Sequence, residues 1–80
     1  MAASIHGRQH QLLRSMLIAE RQKRRLTQHE LAKSLRRPQS YVSKYETGER
    51  QLSVIDFLEI AAAVGFDPRR FIRRLQNQME

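Results

Sequence analysis

Leu26-Thr-Gln-His-Glu-Leu-Ala-Lys-Ser-Leu35, then Arg36-Arg37-Pro38, then Gln39-Ser-Tyr-Val-Ser-Lys-Tyr-Glu-Thr-Gly48 is the stretch on which the fold turns. Thr27 stands where a helix begins, and Glu30, three residues on, completes a capping box that satisfies two amide N–H groups reciprocally. Leu31, Ala32 and Leu35 then give a short apolar face. Pro38 fits the first turn of a new helix, where its missing N–H would be unpaired anyway. From Gln39 onward Val42 and Tyr45 stand three apart, and Gly48 suits the left-handed residue that closes a helix. The stretch predicts two short helices joined by a tight turn. Spacing alone leaves two options open: a plain αα-hairpin, or a helix-turn-helix whose second helix enters a DNA major groove.

The flanks read the same way. Leu13, Met16, Leu17 and Ile18 lie at helical spacing in a first helix from about Gln9 to Arg25. Ser53 with Asp56 repeats the capping pattern ahead of Val54, Phe57, Leu58, Ala61 and Val64, and Gly65 closes that fourth helix. Asp67-Pro68 caps and opens a fifth, with Phe71, Ile72 and Leu75 as its apolar stripe. No segment alternates with the period of two that a strand requires. The expectation is a compact all-α domain of five helices over residues 9–78. The helix-turn-helix would span about 27–47, after a flexible N-terminal tail of residues 1–8.

Eighty residues allow one domain with one small core, too little for a deep substrate cleft. Without cysteine there is no disulfide framework, thiolate zinc site or thiol nucleophile. Fifteen Lys and Arg against eight Asp and Glu leave a net charge of +7, which points to a polyanion: nucleic acid first, an anionic membrane surface second. The charge is uneven: residues 1–26 carry +5, 27–48 carry +2, 49–67 carry −3 and 68–80 carry +3. One face can therefore be cationic, as oriented docking on phosphate requires. The chain opens without a signal-peptide-like apolar run, and its apolar runs are too short to span a membrane. A cytoplasmic location follows as the expectation.

The second helix of the pair opens with Gln39, Ser40 and Tyr41, then Ser43 and Lys44. These are side chains mostly not needed for a core. Gln pairs with adenine N6 and N7, and Lys donates to guanine O6 and N7. Here the residues add to the spacing. Leu26 to Leu35, Pro38 to Gly48 and Phe57-Leu-Glu-Ile-Ala-Ala-Ala-Val-Gly65 together strongly resemble the lambda-repressor-like (Cro/CI, or Xre-type) DNA-binding domain, over about residues 12–75. The most specific parts are the Leu-Thr-Gln…Glu-Leu-Ala start and the Val-Ser-x-x-Glu-x-Gly ending.

The resemblance implies a five-helix fold that binds operator DNA, usually as a dimer. It implies that Gln28 bonds a phosphate and braces the recognition helix, and that Gln39, Ser40, Ser43 and Lys44 read bases. Tyr41 would contact backbone or a base edge, and Thr47, Arg50 and Arg37 would touch phosphate. Arg21 and Glu46 match the ion pair that ties the first helix to the end of the recognition helix. Two positions depart from the pattern. Arg36 replaces the usual glycine, so it must take a left-handed or altered turn at some strain. Pro38 replaces the usual Ser or Thr cap.

Other candidates favour plain roles. His6 and His10 lack a third metal ligand nearby, and His29 is expected to be exposed. Asp56 and Glu59 suit capping and solvation better than acid–base work. Ser40 and Ser43 have no neighbouring base. No enzyme, cofactor or small-molecule ligand is indicated. Arg69, Arg70, Arg73 and Arg74 form a basic face beside Phe66, Phe71, Ile72 and Leu75, which are expected to contribute to a homodimer seam. The basic tail, with Arg8 and Arg14, is either a solubilising segment or an arm that orders on DNA. The sequence thus points to a transcriptional regulator of the repressor type, a homodimer on a palindromic operator in a bacterial or phage-type setting. The alternative is a protein-interaction module, an antitoxin or adaptor holding a partner protein.

Overall fold

The capping residues set the helix starts. The computed structural model describes residues 7–79, which form α1 (Arg8–Lys23), α2 (Gln28–Ser34), α3 (Gln39–Thr47), α4 (Val54–Val64) and α5 (Pro68–Met79), with no strand among the described residues. At the start of α2 the Glu30 N–H donates to Thr27 Oγ1 at 3.0 Å and the Thr27 N–H donates to Glu30 Oε1 at 2.9 Å. Ser53 and Asp56 repeat this reciprocal pair at the start of α4, with both bonds at 3.0 Å. Asp67 Oδ1 accepts from the Arg69 N–H at 2.9 Å ahead of α5. Pro38 is the residue before α3 rather than its first helical residue, with an extended backbone (φ −62°, ψ 153°) and no side-chain cap.

Left-handed residues set the ends. Arg25 and Arg36 both have φ 57°, and Gly48 and Gly65 have φ 90° and 100°. After each of them the next N–H reaches back five residues to a carbonyl: Leu26 to Arg21 at 3.1 Å, Arg37 to Ala32 at 3.0 Å, Glu49 to Lys44 at 2.8 Å and Phe66 to Ala61 at 3.1 Å. These closures satisfy otherwise orphaned helix carbonyls. The left-handed turn at Arg25 ends α1 earlier than the apolar spacing suggests. At its other end α1 begins at Arg8, and α5 runs to Met79. The remainder of the expected tail, residues 1–6 with His6, lies outside the described residues.

The core gathers Leu17, Leu31, Ala32, Val42, Tyr45 and Ile60 from the first four helices. α3 packs on α2 and α1, α4 on α2, and α5 on α1. Phe57, Phe66 and Phe71 form one aromatic cluster with ring centroids 4.9–5.9 Å apart. Phe71 is 1% exposed and Phe66 9%. Both are therefore interior residues of a single chain, which corrects their expected place in a dimer seam. The turn at Gly65 folds Phe66 back onto α4, and ring contacts of this kind stabilise beyond the area they bury. Ile72 is exposed and Leu75 half-buried, so those two remain at the surface.

A buried carboxylate joins α1 to α5. Glu20 Oε1 accepts from Arg24 at 2.7 Å and Oε2 from Arg74 at 3.3 Å, while Arg24 also donates to the Gly65 carbonyl at 3.1 Å. Among the described residues no helix is long and apolar enough to cross a membrane.

Candidate nucleic-acid interface

The amphipathic pattern of α3 separates the side chains that hold it from those it presents. Tyr41, Val42, Tyr45 and Glu46 are buried on the inner side of α3. Gln39, Ser40, Lys44 and Thr47 are exposed and Ser43 is half-exposed. The outward positions 39, 40, 43, 44 and 47 follow helical spacing and form one continuous face. The four expected base readers therefore stand together on the surface, with Thr47 at the far end, where its hydroxyl donates to the Lys44 carbonyl at 3.2 Å. Gly48 closes the helix. Besides its positive φ, a Cβ there would stand 3.0 Å from the Arg14 guanidinium carbon, so Arg14 of α1 packs on the end of α3. Arg14 belongs to the folded domain, not to a tail.

The far side of α3 is fixed by charge. Arg21 Nε donates to Glu46 Oε2 at 2.7 Å and Arg21 Nη2 to Glu46 Oε1 at 3.0 Å. Arg21 Nη1 donates to the Leu26 carbonyl at 2.8 Å, and Gln28 Nε2 donates to the same Glu46 Oε1 at 2.9 Å. One carboxylate thus binds α1, the start of α2 and the end of α3. The bonds to Glu46 hold the Arg21 guanidinium above its ordinary value, against the opposing effect of burial. Gln28 thus ties the start of α2 to the inner side of α3 through Glu46.

Tyr41 departs from its expected role. Its ring is buried, edge-on to Tyr45 at 5.7 Å between centroids. The Arg37 guanidinium lies 4.6 Å from its centroid and that of Arg50 4.9 Å. Tyr41 is therefore a core residue and a platform for two arginines, because positions 41, 42 and 45 all lie on the inward stripe. Burial pushes its phenol up from the ordinary value. Arg37 also faces the start of α4, 3.7 Å from Glu59 Oε1 and 4.0 Å from Asp56 Oδ1. Arg36 sits exposed at the turn, in the left-handed conformation its glycine-like position demands.

Glu20 was not singled out from the sequence, although its i,i+4 pairing with Arg24 was readable; its bonds to Arg24 and Arg74 tie α1 to α5. Among the described residues no cluster of His, Cys, Asp or Glu is arranged to hold a metal.

Two helices, the second braced at its inner face and bare at its outer one, define a helix-turn-helix protein. A helix-turn-helix family model matches residues 17–71. A solved structure, an XRE-family like protein from Pseudomonas syringae pv. tomato str. DC3000, is 39% identical; the match covers 90% of this chain and 88% of that one, with a TM-score of 0.86. No curated protein matches the chain. The chain belongs to the XRE-type helix-turn-helix family, a family of DNA-binding transcriptional regulators.

Proposed function

We propose that this protein is a sequence-specific transcriptional repressor that reads a palindromic operator as a homodimer. The observation that carries the proposal is the outward face of α3, where Gln39, Ser40, Ser43 and Lys44 stand together while Tyr41, Val42, Tyr45 and Glu46 anchor the helix. Amide, hydroxyl and ammonium groups on a helix in the major groove recognise base edges. Gln28, Thr47, Arg50 and Arg37 border that face and supply phosphate contacts that set register.

The dimer rests on a second surface. An open apolar groove of about 580 Å³ runs between α4 and α5, with Leu13, Val54, Leu58, Ile72 and Leu75 among its lining residues. Val54, Ile55, Leu58 and Ile72 are at least 41% exposed. A contiguous apolar surface of this sort marks an interaction site. A second copy of the chain is its proposed occupant, with Ile72 and Leu75 in the seam and half-sites about 34 Å apart. The same groove favours the other option, a partner protein held by an antitoxin- or adaptor-like module, should the chain be a monomer.

Selection of bound sites from random duplexes tests the proposal. An enriched motif with two-fold symmetry is expected. Binding that falls with salt but enriches no motif contradicts sequence-specific reading.

A further inference from the structure

Two arginines cover the ring of Tyr41 at the first turn of α3, and two carboxylates face one of them. Arg37 and Arg50 place their guanidinium groups over it, and Asp56 and Glu59 of α4 face Arg37. The two carboxylates differ in freedom. Asp56 is locked by its capping bonds to Ser53, with Oδ2 used for the Ser53 N–H and Oδ1 turned to Arg37. The Glu59 side chain is 53% exposed and has no capping bond of the kind that holds Asp56. Its 3.7 Å approach to Arg37 is longer than a charged hydrogen bond, which closes to about 2.7–2.9 Å. Arg37 is therefore held close to a carboxylate without a full hydrogen bond to it. A phosphate oxygen makes the shorter bond, and the aromatic platform keeps the guanidinium at the rim of the α3 face.

Resting on the DNA-binding function above, we propose that Glu59 is a counter-ligand that occupies Arg37 in the free protein, is displaced by DNA phosphate on binding, and so limits the affinity of the domain. Arg37 then exchanges one anion for another while remaining on Tyr41. Asp56 stays at its cap and keeps α4 in register, which leaves Glu59 as the adjustable member.

Anisotropy titrations of a fluorescein-labelled random-sequence duplex over a salt series test this with wild type, Glu59→Gln, Arg37→Gln and the double variant. Glutamine at 37 retains a side chain over the Tyr41 ring, so the core is not opened. Glu59→Gln is expected to tighten binding about threefold, the scale of an exposed ion pair. Arg37→Gln is expected to weaken binding and reduce the salt slope by about 0.9, one phosphate contact. In the Arg37→Gln background Glu59→Gln is expected to change nothing. Equal tightening in both backgrounds is a general charge effect and overturns the proposal, as does an unchanged slope in Arg37→Gln. Failure of the wild type to bind any duplex removes the DNA-binding function and this inference together. Wild-type binding without Arg37–Glu59 coupling removes only the inference.

Discussion

Arg21 of α1 and Glu46 of α3, twenty-five positions apart in sequence, meet in a two-point ion pair at 2.7 and 3.0 Å with side chains only 12% and 4% exposed. The pair does two jobs. It orients α3 against α1, and it neutralises a carboxylate on the helix proposed to approach DNA. Removing one partner of a buried pair leaves an uncompensated charge and costs about 3–5 kcal/mol, while replacing both with apolar residues of similar volume is often neutral. Arg21→Ala is expected to lose about 3 kcal/mol in urea denaturation, and Arg21→Met with Glu46→Met to recover most of it. A single variant as stable as wild type would contradict the bracing role.

Arg36 carries its φ of 57° in a turn where glycine meets no steric penalty. The left-handed conformation costs a non-glycine residue about 1–2 kcal/mol, partly offset by the greater freedom of glycine in the unfolded chain. Arg36→Gly is expected to stabilise by about 1 kcal/mol, raising Tm by about 4–8 °C for a domain of this size. A lowered Tm would show that the arginine side chain contributes more than its backbone costs.

The capping boxes at Thr27 and Ser53 and the closures at Gly48 and Gly65 were legible because each is decided within a few residues by groups of distinctive chemistry. They predicted two short helices and a tight turn but left a plain αα-hairpin open; the resemblance of Leu26 to Leu35 and Pro38 to Gly48 to the Xre-type domain decided for the helix-turn-helix, and the outward face of α3 followed from its spacing. Arg25 was not legible as a helix end, because arginine carries no signal for the left-handed turn that the reach of Leu26 back to Arg21 imposes. Tyr41 looked like a groove residue because its place on the inward stripe depends on how α3 rotates against α1. Phe66 and Phe71 looked like seam residues because an apolar stripe does not say whether its own chain or another covers it. Glu20 was passed over for a similar reason: its second partner, Arg74, is fifty-four residues away.

Glu20 contributes to the acid limb of the stability curve, together with the capping carboxylates Glu30, Asp56 and Asp67, which are also held below their ordinary values. Burial raises its carboxyl, but hydrogen bonds from Arg24 and Arg74 outweigh that and hold it below the ordinary value of 4.5. A folded-state value below the unfolded one contributes stability that is full above the unfolded value and lost as pH falls through the folded one. Thermal melts from neutral pH downward are expected to show wild type losing stability below about pH 4.5, and Glu20→Gln starting lower but losing less. Parallel curves would assign the acid limb to other carboxylates.

Ile72 tests the proposed seam. It is 41% exposed in the single chain, so a charge there costs the monomer little, within about 0.5 kcal/mol for an ordinary surface position. In sedimentation, wild type is expected to run as a dimer and Ile72→Glu as a monomer with nearly unchanged melting. A dimer that survives the substitution places the seam elsewhere.

In the proposed complex the outward face of α3 reads bases while its borders hold phosphate. Paired selections from random duplexes with wild type, Lys44→Ala and Arg50→Ala separate the two roles. Wild type is expected to yield a two-fold symmetric motif, and Lys44→Ala the same motif with one position per half-site relaxed. Arg50→Ala is expected to keep the full motif at uniformly lower affinity. Motifs for wild type and Lys44→Ala that are identical at every position, or no motif for the wild type, would contradict this division of roles.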